Sequence, residues 1–392
     1  MDDSVRGKVL IVDDVPTNTE LLGIVLGQEF DVVQATSGPE AIGIAQNGGI
    51  DLVLLDIIMP GMDGYDVCRA LKADPMTADI PIIFITAMSE EEDEEAGLEI
   101  GAIDYVTKPF SLPIVRSRVR NHLLSKARAD ALEVSNSKLE HLYRQMSDDL
   151  DAASRLQNSF LPKKKAEIGN VSFGYMYYPS QYLCGDTLNF FSIGNDIVAF
   201  YIADIAGHGI PSALLSVTLS NTMTPEFCTR VSGKTDSEYG VPLPSTVVSA
   251  LNRRFLSDGD RMDYLTMIYG VINTATGATR LCQAAQPSPI LVRENGVTET
   301  IGDGGFPVGM FADATYEDIE FDMRPGDRLA LFSDGITECE NAAGAQFGEE
   351  RLMAALFGKD GTIMNGLQRK IQNWTGQRPP TDDISLLLMT LT

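Results

Sequence analysis

The sequence of 392 residues has little positive charge, no long apolar run and few cysteines. Its 30 Lys and Arg residues are outnumbered by 55 Asp and Glu residues, which gives a net charge of −25. That charge would repel nucleic-acid phosphates and anionic membrane surfaces, so we expect neither as a partner. No stretch approaches the roughly 20 apolar residues of a membrane span, and no N-terminal segment is typical of a signal peptide. These absences predict a cytoplasmic protein.

The five cysteines are scattered and form no Cys-x-x-Cys pair, so the sequence indicates neither a zinc site nor a disulfide framework. The length predicts two or three domains, and a hydrophobic fraction of 44% is sufficient for ordinary cores. Glycine and proline are missing from residues 114–161, a stretch rich in charge, Ala, Leu and Ser. That composition predicts one long helix. We therefore place domain boundaries to give residues 1–122, a helical linker 123–160, and residues 161–392.

The first part alternates short apolar runs with amphipathic stretches. Five runs are predicted as strands: residues 9–12, 31–35, 52–55, 82–85 and 104–107. Helical stretches between them imply a parallel sheet with helices on both faces, whose ligand site lies at the carboxyl ends of the strands. The residues at or just after these ends include Asp13, Asp14, Asp56, Thr86 and Lys108. We predict that these side chains meet at one rim.

This part resembles the receiver domain of two-component response regulators, chiefly in residues 54–64 (LLDIIMPGMDG) and 107–110 (TKPF). The resemblance implies a flavodoxin-like (βα)5 fold that accepts phosphate from a histidine kinase or a phosphotransfer protein. Asp56 would be the phosphate acceptor, a carboxylate nucleophile that forms an acyl phosphate. Lys108 would neutralise one phosphoryl oxygen, and Thr86 would hydrogen-bond another.

The same resemblance implies one Mg²⁺ ion in the receiver, with a ligand set of Asp13, Asp14, Asp56 and the Ile58 carbonyl. Tyr105 matches the aromatic residue that turns inward when Thr86 moves toward the phosphoryl group. The peptide bond between Lys108 and Pro109 would be cis, as in the family.

Residues recur every seven positions along the predicted linker helix, as in a coiled coil. One seam comprises Leu132, Leu139, Met146, Ala153 and Phe160, and its companion comprises Ala129, Asn136, Tyr143, Leu150 and Gln157. The pattern predicts a parallel homodimer through the linker helix, with a buried Asn136 pair fixing the register. The alternative is a single amphipathic helix packed on its own C-terminal domain, because Tyr143, Ala153 and Gln157 make the seam imperfect.

Four acids of the third part lie beside runs predicted as strands: Asp186, Asp204, Asp334 and Asp382. Carboxylates at strand ends suit hard cations such as Mg²⁺ and Mn²⁺, and four of them are typical of a two-metal hydrolase site. The rest of this part alternates short strands and turns with two helical patches, which begin near Pro211 and Ser245.

The third part resembles the SpoIIE/RsbU branch of the metal-dependent PP2C-type (PPM) serine/threonine phosphatases. The matching stretches are residues 161–162 (LP), 185–186 (GD), 204–209 (DIAGHG), 306–309 (FPVG), 332–338 (FSDGITE) and 382–385 (DDIS). The resemblance implies an α/β/β/α sandwich that binds two Mn²⁺ or Mg²⁺ ions. Asp186 and Asp204 with the Ile205 carbonyl would hold one ion, and Asp204, Asp334 and Asp382 the other. Asp383 would point away, since successive residues of a strand alternate between faces.

The chain departs from the family pattern at two positions. Asn189 stands where many members have a second acid, and Gln286 stands where a histidine is common. His208 is either the general acid toward the leaving serine oxygen or a structural hydrogen-bonding residue.

Two functions remain open. In the first, receiver phosphorylation controls a phosphatase whose substrate is a phosphoserine or phosphothreonine protein, by resemblance an anti-sigma-factor antagonist. In the second, the layout resembles an RssB-type adaptor, which binds the stress sigma factor, directs it to proteolysis and uses the phosphatase-like domain for binding. The retained aspartates favour the enzyme.

Overall fold

The computed structural model describes residues 6–86, 99–207, 209–235, 240–256, 264–358, 362–376, 378 and 380–392. The chain divides into two units, Met1–Arg144 and Gln145–Thr392. None of the helices within the described ranges combines the length and the apolar composition that a membrane crossing requires.

The first unit is built on a parallel sheet with the strand order β2-β1-β3-β4-β5. Its strands are β1 (Lys8–Val12), β2 (Asp31–Ala35), β3 (Leu52–Asp56), β4 (Ile82–Thr86) and β5 (Asp104–Thr107). Its described helices before the linker are α1 (Pro16–Leu26), α2 (Gly38–Gln46) and α3 (Gly64–Ala73). Residues of β1 alternate between a core under α2 and α3 and a core under α1, so both faces are covered. The five strands and the receiver fold are confirmed.

The linker helix α4 (Leu112–Asn158) is continuous over 47 residues, about 70 Å at the usual rise per residue. The single long helix predicted from composition is therefore confirmed. Its first turns belong to the first unit, because Val115 and Val119 pack beneath the parallel sheet. Further along, several large apolar side chains are exposed in the single chain, among them Leu132, Leu139, Tyr143 and Met146.

The second unit contains two antiparallel sheets. The first has the order β14-β11-β10-β9-β8 and the second the order β13-β12-β15-β16-β7-β6. The strands are β6 (Lys165–Ile168), β7 (Val171–Tyr178), β8 (Thr187–Gly194), β9 (Ile197–Ile205), β10 (Leu265–Asn273), β11 (Ala278–Ala284), β12 (Ile290–Val292), β13 (Thr298–Thr300), β14 (Ile319–Asp322), β15 (Arg328–Phe332) and β16 (Ile384–Leu391). The described helices are α5 (Ile210–Thr222), α6 (Pro225–Arg230), α7 (Pro244–Phe255), α8 (Asp334–Glu338), α9 (Gly348–Leu356) and α10 (Ile363–Thr375).

The two sheets pack face to face, and helices cover their outer faces. Phe173 of β7 and Phe190 of β8 stack in the layer between the sheets, with ring centroids 4.4 Å apart. Helices α5 and α7 pack on the outer face of the first sheet, and α9 and α10 on that of the second. The predicted α/β/β/α sandwich is confirmed.

The two helical patches predicted near Pro211 and Ser245 are present as α5 and α7. The sandwich implied helices outside the second sheet, but the positions of α9 and α10 were not predicted, although Ile363, Leu367 and Ile371 recur every four residues and form the buried stripe of an amphipathic helix.

Candidate functional site

The acids of the first unit converge at the carboxyl ends of β1 and β3. Asp13 and Asp14 directly follow β1, and Asp56 is the last residue of β3. One carboxylate oxygen from each of these three residues lies within 4.8 Å of the others. Among the described residues, this is the one group of three Asp, Glu, His or Cys side chains whose possible ligand atoms all lie within 4.8 Å of one another. Oxygen ligands in this arrangement fit a Mg²⁺ ion.

The ammonium group of Lys108 lies beside these acids. Its Nζ lies 3.0 Å from Asp13 Oδ2 and 3.0 Å from Asp56 Oδ2. Burial raises the pKa of the Asp56 carboxyl and outweighs the hydrogen bond and charge of Lys108, which lower it. Burial alone would lower the pKa of Lys108, but its hydrogen bonds and charge interactions with the two carboxylates raise it. The peptide bond from Lys108 to Pro109 is cis, as predicted.

The remaining receiver candidates lie around this rim. Thr86 is buried at the end of β4, and its carbonyl accepts the Lys108 N–H at 2.6 Å. Tyr105 on β5 is half-buried against the core beneath α2 and α3. Ile58 lies two residues after Asp56, the last residue of β3, and its side chain is exposed. Gly64 closes this turn tightly, because a Cβ there would lie 2.3 Å from the Asp56 carbonyl oxygen.

In the second unit, the first sheet supplies Asp186 and Asp204. Thr187 of β8 pairs with Ala203 of β9, so the two acids occupy the next positions along this antiparallel pair. Side chains of alternate β9 residues up to Ile202 fill the layer between the sheets, and Asp204 continues that side. The Asp186 carboxylate is fully buried, and neither of its oxygens has a hydrogen-bond partner in the described structure.

The second sheet supplies Asp334 and Asp382. Asp334 follows β15 as the first residue of α8, and Asp382 precedes β16, the strand that pairs with β15. The two segments approach so closely that a Cβ on Gly335 would lie 2.0 Å from the Asp383 carbonyl oxygen. Glycine is therefore required after Asp334.

Burial and neighbouring charges raise the pKa of three of these acids, Asp186, Asp204 and Asp334. Burial raises the pKa of Asp186 well above its usual range, and the charge of Asp204 raises it further. Burial and the charges of Asp334 and Asp382 raise the pKa of Asp204 to about 7. The pKa of Asp334 is raised by burial and by the charge of Asp382. These shifts show that the acids from the two sheets form one electrostatic cluster.

This cluster fits divalent cations. Within the described ranges, none of the four acids forms an ion pair with a Lys or Arg, in contrast to Asp13 and Asp56, which Lys108 contacts in the receiver. A buried carboxylate without hydrogen bonds is costly unless a counter-charge accompanies it. The Ile205 carbonyl oxygen faces the same turn, 3.2 Å from where a Cβ on Gly185 would lie. These oxygens form a suitable donor set for Mn²⁺ or Mg²⁺.

Asp383 has a role that was not predicted from the sequence. Its carboxylate is buried rather than turned away, and it accepts hydrogen bonds from the Ser180 N–H at 2.7 Å, the Ser180 hydroxyl at 2.8 Å and the Gly185 N–H at 2.5 Å. Strand alternation does not apply here, because Asp383 precedes β16 and does not have strand geometry. Asp383 thus anchors the loop that carries Asp186.

The structure shows what the two residues that depart from the family pattern, Gln286 and Asn189, contact. Gln286 is buried; it accepts a hydrogen bond from the Thr266 hydroxyl and donates one to the Phe332 carbonyl at 3.0 Å. Thr266 of β10 pairs in register with Asp204 of β9, and Phe332 ends β15 two residues before Asp334, so Gln286 links the strand beside Asp204 to the strand that leads to Asp334. Asn189 pairs with Tyr201, whose side chain packs on the helix side of the sheet. Position 189 therefore faces away from the layer that Asp186 faces, and an acid there would not point toward Asp186.

The candidate general acid His208 lies outside the described residues. Its two alternative roles therefore stay predictions.

Comparison with known proteins decides the family. The profile of Stage II sporulation protein E (SpoIIE) matches residues 194–392, half of the chain. The chain belongs to the SpoIIE family. The response regulator receiver domain profile matches residues 9–120. This SpoIIE-family chain therefore joins a receiver domain to a PP2C-type phosphatase domain, which is the layout of a response regulator with a phosphatase-type output.

Individual relatives match parts of the SpoIIE-family chain. A probable cyclic di-GMP phosphodiesterase of Vibrio cholerae is 44% identical over 151 residues, 38% of this chain and 34% of that protein. Response regulator PleD of Caulobacter vibrioides is 41% identical over 150 residues, 38% of this chain and 32% of that protein. The chain thus spans about a third of the length of these two curated relatives.

Among solved structures, the SiaA-PP2C domain of Pseudomonas aeruginosa is similar to 64% of this chain and 99% of its own, with a TM-score of 0.53 and 17% identity. At that identity the similarity shows the fold alone.

The raised pKa of Asp204 predicts a pH-dependent stability in the absence of cations. Folding raises this pKa from 3.8 to about 7, so its stabilising contribution is complete below 3.8 and is lost as pH rises through about 7. Each pKa unit corresponds to about 1.4 kcal/mol. We expect chelated wild-type protein to lose thermal stability relative to Asp204→Asn over this range, and Mn²⁺ to restore it. Calorimetry at several pH values measures both; a pH-independent difference between the two proteins would contradict the expectation.

Proposed function

We propose that this chain is a response regulator whose output domain hydrolyses phosphoserine or phosphothreonine in a protein substrate and requires Mn²⁺ or Mg²⁺. The carrying observation is the buried Asp186 carboxylate, which has no hydrogen-bond partner in the described structure and adjoins Asp204. Together with Asp334 and Asp382 it forms a cluster of negative charge that bound divalent cations would offset.

The chain's own groups would have distinct tasks. Asp186, Asp204 and the Ile205 carbonyl would hold one cation, and Asp204, Asp334 and Asp382 the other. Bound divalent cations lower the pKa of a water molecule and offset negative charge on phosphoryl oxygens. Asp383 and Gln286 would keep the ligands in place. Asp383 accepts from the Gly185 N–H, next to Asp186, and Gln286 donates to the Phe332 carbonyl, two residues before Asp334. His208 is retained as the candidate proton donor to the serine oxygen.

The receiver would set the rate of this reaction. Asp56 would take a phosphoryl group from a histidine kinase or phosphotransfer protein, with a Mg²⁺ held by Asp13, Asp14, Asp56 and the Ile58 carbonyl. Lys108 contacts both Asp13 and Asp56, and so is placed to contact a phosphoryl oxygen. Thr86 and Tyr105 would then move as the family resemblance implies.

The substrate we propose is a phosphorylated anti-sigma-factor antagonist. Its dephosphorylation would change the availability of a stress sigma factor, and a sigma factor is a further candidate partner. The family resemblance of the phosphatase stretches supports this proposal.

We also propose a parallel homodimer through α4. Leu132, Leu139 and Met146 occupy one heptad seam and are exposed in the single chain by 63%, 66% and 58%. Replacing Leu139 and Met146 with Asp is expected to convert a dimer to a monomer, because both charges would lie in the seam. Light scattering gives the molar mass, and Ser137→Asp, at another exposed position of the helix, is the control. A monomeric wild type would refute the dimer.

The seam ends before Gln157, because that side chain is buried in the second unit rather than available to a partner helix. The heptad assignment at this position is therefore wrong.

The second candidate is the RssB-type adaptor. An adaptor gains nothing from a buried Asp186 carboxylate without a hydrogen-bond partner, nor from the charges of Asp334 and Asp382 that raise the pKa of Asp204, because this repulsion destabilises the fold. The test is phosphate release from a phosphoserine protein with Mn²⁺ and with excess chelator. We expect release only with the metal; sigma-factor binding without any release would favour the adaptor.

A further inference from the structure

Gln157 joins the end of the linker helix to the loop that carries Asp186. Its side-chain amide nitrogen donates to the Cys184 carbonyl at 2.6 Å and to the Ser216 hydroxyl at 2.8 Å. Its amide oxygen accepts the Cys184 N–H at 3.1 Å. One buried side chain therefore bonds both backbone polar groups of Cys184, and the Ser216 hydroxyl also donates to the Cys184 carbonyl, at 3.3 Å.

Cys184 lies two residues before Asp186, in the loop between β7 and β8. This loop is held on its other side by Asp383, which accepts from Ser180 and Gly185. The Asp186 carboxylate has no hydrogen bond of its own in the described structure. Its position therefore depends on the backbone of this loop. Gln157 holds that backbone at Cys184, Asp383 holds it at Gly185, and the Tyr177 hydroxyl donates to the Asp186 carbonyl at 3.2 Å.

We propose that Gln157 is a positioning residue of the cation site. By fixing Cys184 it sets the place of the Asp186 carboxylate, so the last turn of α4 forms part of the site's support. A shift of that turn would move a cation ligand directly. The inference rests on the proposed metal-dependent function and adds the element that would regulate it.

The hydrogen bonds of Gln157 determine the effect expected of its replacement. Gln157→Ala leaves the Cys184 N–H without its side-chain partner and leaves the Cys184 carbonyl with the longer bond from the Ser216 hydroxyl, at 3.3 Å, so the loop can relax away from its place. Groups that orient metal ligands typically change metal affinity by about 10- to 100-fold. The ligands themselves remain in Gln157→Ala, so saturating cation should restore the active geometry.

The experiment compares full-length Gln157→Ala with Gln145→Ala, an exposed glutamine on the same helix. Both are prepared with Asp13→Asn, which removes a receiver ligand so that calorimetric titration reports Mn²⁺ binding in the second unit. We expect Gln157→Ala to bind Mn²⁺ about tenfold more weakly. The Mn²⁺ concentration for half-maximal phosphate release should rise in parallel, while kcat at saturating Mn²⁺ stays within about twofold of the control.

Equal Mn²⁺ affinity in the two variants would overturn the proposal, as would a lower kcat with unchanged affinity. If Gln157→Ala does not fold, Gln157→Glu decides, because it keeps the acceptor for the Cys184 N–H and loses the donor to the carbonyl. Mn²⁺ affinity like that of wild type in Gln157→Glu would then overturn it. Gln157-dependent Mn²⁺ binding without phosphate release would refute only the phosphatase; phosphate release with Gln157-independent binding would refute only the positioning role.

Discussion

Replacing Asp204 or Asp334 with alanine is expected to lower metal-dependent phosphate release by roughly 10²–10⁴-fold, because a catalytic metal supplies several kcal/mol and each 1.36 kcal/mol is tenfold. Asp204 has the larger expected effect, since both proposed cation sites share it. Its pKa is raised by burial and by the charges of both acids on the second sheet, which places it at the centre of the cluster. Phosphate release from a phosphoserine protein at saturating Mn²⁺ is the measurement.

The control is Asp313→Ala, which removes an exposed acid of the same unit. Thermal unfolding in chelator should show that Asp204→Ala and Asp334→Ala still fold, because removing a repelled buried charge does not destabilise the metal-free protein. Turnover near the wild-type rate in either variant, or in wild type with excess chelator, would exclude the proposed site.

The second large effect concerns the linker helix. Replacing residues 139–150 with an equal length of Gly and Ser is expected to abolish the response of the phosphatase to phosphorylation of Asp56. A flexible segment cannot transmit rotation or register, whereas the continuous helix α4 can. A coupling free energy of about 1–3 kcal/mol would change activity by roughly 5- to 150-fold in the intact chain.

An equal-length helical segment of Glu, Ala and Lys in the same place is the matched control. It keeps the helix and removes the heptad seam, so it separates helix continuity from pairing of two chains. The rate with and without phosphorylation is compared in all three proteins. Modulation of the same size in the Gly/Ser protein would rule out the helix as the transmitter.

Much of the fold could be predicted from the sequence, because its signals are local. The receiver strands are short, mostly apolar runs, and the acids at their ends identify the rim. The heptad stretch lacks Gly and Pro, which predicted α4. The aspartates of the phosphatase domain were recognised from their turns, and the structure brings Asp186 and Asp204 together because β8 and β9 are paired.

The supporting residues could not be predicted, because their partners are distant in sequence. Asp383 bonds Ser180 and Gly185 across about 200 positions, and nothing near Asp383 indicates that loop. Gln157 was assigned to a helix seam, since heptad spacing does not show which turn enters a domain. Gln286 was noticed only as a departure from a pattern, and its bond between two sheets required the tertiary structure.

The central claim is that Asp56 phosphorylation controls metal-dependent hydrolysis by the same chain. The most direct measurement is phosphate release from a phosphoserine protein by full-length wild type and Asp56→Asn, each before and after treatment with a small phosphodonor, in Mn²⁺. Mass spectrometry follows the acyl phosphate. We predict an acyl phosphate and a changed rate in wild type, and neither in Asp56→Asn. An unchanged wild-type rate at full phosphorylation, or labelling of Asp56→Asn, would contradict the account.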